Sequence, residues 1–189
     1  MFKKWFKKFE DKSRDKLFHN LLDIGIECEL DERGVNEEKL FNPWYRKSLG
    51  IIRINSDSPI NYINIIKQNR SKNSPPRWWF FFAIPSHKIR DKNDSIEIKS
   101  IRKKSIPIFG KVESIIWKSN ENSKELEKLF SQDSGINSLA IILGNIKVKS
   151  LHKNFSGYSI EIDRKILLDN SHWDALDRIS KMCIDLDKN

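Results

Sequence analysis

Arg77-Trp78-Trp79-Phe80-Phe81-Phe82-Ala83-Ile84-Pro85 is the stretch that decides how the rest of the chain can fold. Pro75 and Pro76 precede it and Pro85 closes it, so the apolar run has hard ends. In an extended chain, successive side chains alternate between the two faces of a sheet. Trp78, Phe80, Phe82 and Ile84 then share one face, and Trp79, Phe81 and Ala83 the other. Both sets are apolar, which predicts a strand covered on both sides rather than wetted on one. Each buried Trp or Phe removes roughly 150–250 Å² from water, so this segment is expected to anchor the core. The competing reading, in which one face lines a ligand or base-stacking site, is the weaker one.

Outward from this strand, the flanking connections are polar and basic. Residues 67–76 carry Arg70 and Lys72 ahead of Arg77, and residues 86–94 carry Lys88, Arg90 and Lys92. Further strands are predicted at residues 26–30, 50–54, 60–66, 96–98 and 112–117, each short and rich in Ile or alternating with charge. Arg102-Lys103-Lys104 projects before Pro107. Residues 146–149 and 158–162 pair naturally as a hairpin across residues 154–157.

Helices are predicted at three places. In residues 2–24, Phe2, Trp5, Phe6 and Phe9 recur at helical spacing opposite Lys3, Lys4, Lys7 and Lys8, with Gly25 as the cap. Asn122 and Ser123 with Glu125 and Glu127 open a middle helix that Gly135 interrupts, and residues 139–143 form a short buried helix or strand. Ser171 and Asp174 read as the capping pair of a C-terminal helix with Trp173, Leu176, Ile179, Met182, Cys183 and Leu186 on its inner face. The fold class is therefore α+β, a mostly antiparallel sheet of about six to eight strands covered by N-terminal, middle and C-terminal helices. Residues 1–24 form a basic amphipathic helix packed on or flanking the domain, and residues 25–189 a single α+β domain.

Composition narrows the function without assigning one. The net charge of +9 is lopsided: residues 1–110 hold 23 Lys or Arg against 14 Asp or Glu, and residues 111–189 hold 12 against 12. Such asymmetry points to an anionic partner, which is an acidic protein, a nucleic acid or an anionic membrane surface met by residues 2–9. A chain rich in Asn, Ile and Lys is also what an AT-rich genome produces. Cys28 and Cys183 stand far apart and read as free thiols, and no apolar run is long enough to span a bilayer. A soluble, cytoplasmic protein is the expectation.

No phosphate-binding glycine loop, nucleophile elbow or metalloprotease helix occurs, and the four histidines and two cysteines are dispersed. No catalytic residue, metal or cofactor is expected. The candidate partner-binding residues are Lys3, Lys4, Lys7, Lys8, Arg70, Lys72, Arg77, Lys88, Arg90, Arg102, Lys103 and Lys104, with His87 a further candidate beside the organising strand. The leading expectation is an accessory or adaptor protein that binds an acidic macromolecule through its basic half. A nucleic-acid-binding protein is the alternative, and a small-molecule-binding or enzymatic domain the third.

Overall fold

Arg77–Pro85 is the fourth of eight strands in one antiparallel sheet, and residues Trp79 to Ile84 within it are all buried. The structure, a computed structural model, describes residues 11–42, 46–88, 90–106 and 110–188. In chain order these residues form α1 (Ser13–Asp23), β1 (Cys28–Leu30), a 3₁₀ turn (Asn36–Lys39), β2 (Lys47–Ile54), β3 (Tyr62–Gln68), β4 (Arg77–Pro85), β5 (Glu97–Lys104) and β6 (Val112–Ser119). There follow a 3₁₀ turn (Glu121–Ser123), α2 (Lys124–Gln132), α3 (Ser134–Leu143), β7 (Ile146–Leu151), β8 (Ser156–Ile162) and α4 (Asn170–Asp185). The fold is α+β, and no helix among the described residues is long and apolar enough to cross a membrane.

The strand order is β1-β2-β3-β4-β8-β7-β5-β6. The β7–β8 hairpin is inserted between β4 and β5, so the organising strand has β8 as its second neighbour, with Phe82 opposite Ile160. The close approach of these two strands depends on Gly157. Its φ is +132°, and a Cβ there would stand 2.2 Å from the carbonyl oxygen of Ile84.

The alternation expected of β4 holds. Phe80, Phe82 and Ile84 lie in the larger core with Ile63, Ile65, Ile160 and Ile162, under Leu17 and Leu21 of α1, Leu126 and Phe130 of α2, Leu139 of α3 and Trp173, Leu176 and Ile179 of α4. Trp79, Phe81 and Ala83 form a second, smaller core with Ile51, Tyr62, Ile66 and Phe41. A loop covers that second face, and Asn64 holds it there. The Asn64 amide is fully buried in β3 and donates to the carbonyls of Glu37, at 3.0 Å, and Glu38, at 3.2 Å. Truncating a fully buried ring such as Phe82 to Ala is expected to cost about 3–5 kcal/mol.

Several boundaries differ from expectation. The C-terminal helix starts two residues earlier, because Asp169 is its cap: the Asp169 carboxylate accepts from His172 N at 2.8 Å and His172 Nδ1 accepts from Asp169 N. Ser171, read as the cap, instead donates its hydroxyl to Asp169. Gly135 does not break the middle helix. The break is at Asp133, whose extended backbone and side chain cap α3 at Ile136 N, so residues 139–143 belong to a helix. Gly25 closes α1 as expected, with Ile26 N bonded to the Leu21 carbonyl. The amphipathic pattern of residues 2–9 lies outside the described residues.

Candidate functional site

Because every neighbouring pair is antiparallel, β2, β4, β6 and β7 run one way and β1, β3, β5 and β8 the other. The connections between β3 and β4, between β5 and β6, and from β8 to α4 therefore meet at one end of the sheet, together with the start of β2. That end carries Arg46 and Lys47, Arg70, Lys72 and Arg77, Arg102, Lys103, Lys104 and Lys111, and Arg164 and Lys165, which is eleven cations, against four acids among the described residues: Asp163 and Asp169 after β8, Glu113 beside Lys103, and Asp11 beside Trp78. The opposite end gathers the connections β2–β3, β4–β5, β7–β8 and β6–α2 with the C-terminal turn. Among its described residues it carries Lys88, Arg90, Lys92, Lys153 and Lys188 against Asp57, Asp91, Asp94, Glu121, Asp185 and Asp187.

The cationic end extends across the sheet. Seven strands from β2 to β6 make six spacings of ~4.8 Å, so the row is about 29 Å long. Lys47, Arg70, Lys72, Arg77, Lys103, Lys104, Lys111, Arg164 and Lys165 are exposed. Exposed apolar side chains there are few, Ile106 and Leu167 among them. Of the four acids in the loop that follows β1, Glu32 is exposed and the other three are answered locally. Asp31 and Glu37 pair with Arg53, and Glu38 pairs with Arg33 at 3.1 Å.

Tryptophans of β4 sit beneath cations at this end. The Arg46 guanidinium stands 3.6 Å from the Trp79 ring centroid, and Lys165 Nζ stands 4.1 Å from that of Trp78. The Trp78 indole N–H also donates to Asp11 at 3.0 Å, and Lys67 Nζ approaches the same carboxylate at 2.7 Å. Burial pushes the Asp11 pKa up, but the hydrogen bonds from Lys67, Ser13 and Trp78 outweigh it and hold the group well below the usual carboxylate range.

Within the cationic end lies a cleft of ≈ 540 Å³. It exists because β5 and β7 pair over only three residues, Glu97 to Lys99 with Lys149 to Lys147, after which β5 continues beside β6 alone. Ser100 Oγ accepts the Ile146 N–H at 2.8 Å at the point where the two strands part. Arg102 turns its guanidinium to the Ile141 carbonyl at the end of α3, 2.9 Å, and Arg164 reaches Ile142 at 3.2 Å. Burial, and then the neighbouring Arg164 charge, lower the Arg102 pKa. Glu161 and Asp163 line the other wall. Burial raises the Glu161 pKa, against the pull of Lys147, Lys149 and Arg46.

The sequence-derived candidates divide between the two ends. Arg70, Lys72, Arg77, Arg102, Lys103 and Lys104 come together, whereas Lys88, Arg90 and His87 lie beyond the other end of β4. Lys3, Lys4, Lys7 and Lys8 fall outside the described residues. The two basic loops that flank β4 are separated by the length of that strand. Arg90 is enclosed, with 8% of its side chain exposed, and holds Asp187 at 2.8 Å and Tyr158 Oη at 2.9 Å. Burial pushes the Asp187 pKa up, but hydrogen bonds from Ser86, Tyr158 and Arg90 carry it below its ordinary value. His87 is exposed. The histidine set among aromatic rings is His152, edge-on to Phe41 at 5.0 Å, and burial pushes its pKa down to about 4.

Arg46, Lys47, Lys111, Lys147, Glu161, Arg164 and Lys165 were not legible as site residues. The only signal for them is strand direction, which needs the pairing of β4 with β8. Comparison of the chain with family models, with curated proteins and with solved structures finds no match.

Proposed function

We propose that the protein binds a nucleic acid along its sugar–phosphate backbone, using the cationic end of the sheet. The observation that carries this reading is eleven cations against four acids in a row about 29 Å long. Protein interfaces centre on an apolar, well-packed core. Here exposed apolar groups are sparse and the large rings of β4 are covered, so the surface suits a repeating anion better than an acidic protein's mixed face. Trp78 and Trp79 hold cations over their rings, which makes backbone contact, rather than base stacking, the source of affinity.

Fluorescence anisotropy with labelled single-stranded and duplex oligonucleotides tests the reading. Engaging roughly four to six phosphates gives a log–log salt slope of about −3 to −5. Arg70→Glu, Lys72→Glu and Arg77→Glu combined are expected to weaken binding by about 10- to 100-fold, while Lys88→Glu with Lys92→Glu leaves it within about twofold. A flat salt response, equal loss from both sets of variants, or tighter binding of polyglutamate than of any oligonucleotide would overturn it.

A further inference from the structure

The cleft between β5 and β7 contains a carboxylate whose position the cationic row does not explain. In the sheet register Lys147 stands directly opposite Glu161, yet its ammonium bridges to Glu97 at 2.8 Å instead. Glu161 is left half-buried, with no hydrogen bond or ion pair to any described residue. A carboxylate in a surface that attracts phosphates repels them, unless it accepts from a hydrogen-bond donor carried by the same ligand.

We propose that this cleft receives one unpaired nucleotide of the bound strand, its phosphate toward Lys99 and Lys147 and the donor edge of its base on Glu161. The inference rests on the nucleic-acid reading above and names what that surface recognises besides charge. At ≈ 540 Å³ the cleft falls within the roughly 300–1,000 Å³ of small-ligand sites. Ile101 supplies an apolar wall, and Asn145 and Asp163 stand at the mouth, joined at 3.4 Å.

Base preference follows from donor geometry. Carboxylate oxygens accept only. The Watson–Crick edge of guanine offers two adjacent N–H donors to the two oxygens, and cytosine offers its N4 amine. The ring N–H of uracil or thymine lies between two carbonyl oxygens that a carboxylate repels. The expected order is guanine, then cytosine, then adenine and uracil or thymine.

The test is titration calorimetry of the full chain with the four nucleoside 5′-monophosphates and with ribose 5-phosphate, alongside oligonucleotide anisotropy. The guanine nucleotide is expected to bind about tenfold more tightly than the uracil nucleotide or ribose 5-phosphate. Glu161→Gln, which keeps the shape and adds a competing donor, is expected to abolish that preference while changing ribose 5-phosphate affinity less than about threefold. Thermal unfolding of the variant controls for folding. Equal affinities for all four bases, or an unchanged preference in Glu161→Gln, overturns the inference. If oligonucleotides still bind with a steep salt slope in that case, the row of cations stands and only the cleft assignment falls. If guanine preference is present but the combined Arg70, Lys72 and Arg77 variant binds long strands normally, the cleft stands and the row falls.

Discussion

The two ends of the sheet use the same residue types for opposite purposes. At one end Arg90 is enclosed with Asp187 and Tyr158, and that network ties the C-terminal turn to the strands. At the other, Arg70 and Lys72 on a loop and Arg77 at the start of β4 are exposed and carry no ion pair among the described residues. An arginine that is desolvated and held by a buried carboxylate is part of the architecture, and one in water beside others of its sign is a field source. Net charge alone does not separate the two.

The largest effect expected from breaking this contrast is at Arg90. Arg90→Ala leaves Asp187 enclosed without its cation and is predicted to lower unfolding free energy by about 3–5 kcal/mol, read from the denaturant midpoint. A change near that of an exposed arginine would show that the two ends are equivalent. Next is the pH response of His152. Its folded pKa of about 4 lies below its ordinary value, so between pH 6.5 and 4 only the unfolded chain gains the proton, and stability falls through that window as pH falls. The loss is expected to reach about 2–3 kcal/mol and to be absent in His152→Gln, as followed by chemical denaturation at several pH values.

Asp11 sharpens the comparison from the cationic side, since it is an acid built into that end. Asp11→Asn is predicted to cost about 2 kcal/mol by weakening the bonds from Lys67, Trp78 and Ser13. Because the folded pKa is depressed, the wild type is expected to lose this advantage as pH falls below the ordinary carboxylate range, so the two proteins converge in acid. A gap that stays constant to pH 2 would refute that origin. For Glu161 the sign reverses. Burial disfavours its charged form, so Glu161→Gln should raise stability at neutral pH by a few tenths of a kcal/mol, with the gain shrinking toward acid. Smallest of all, Arg70→Glu and Lys72→Glu should shift stability by under about 0.5 kcal/mol whatever they do to binding.

Much of the fold was legible because it depends on local pattern. The alternation in β4, the β7–β8 hairpin, the Gly25 cap and the inner face of α4 follow from spacing that any sequence window displays. The Asp169 cap was missed because Ser171 and Asp174 offer the same local chemistry two residues later, and only the observed backbone distinguishes them. Asn64 was missed for a different reason. A lone polar residue between isoleucines in β3 carries no sign that its partners lie 26 and 27 residues earlier, in a loop folded over the second face.

The candidate site divides in the same way. By itself the sequence determined that β4 would be buried on both faces and that an excess of Lys and Arg would remain outside, because apolar periodicity and formal charge are properties of short segments. Only the tertiary structure decided which cations share a surface. Placing β8 beside β4 fixes the direction of every strand, sends Lys88 and Arg90 to one end and Arg77, Lys104 and Lys165 to the other, and leaves Glu161 in the cleft where β5 and β7 part. The physical reason is that long-range pairing is selected by the summed burial of both sheet faces, a quantity no local stretch contains.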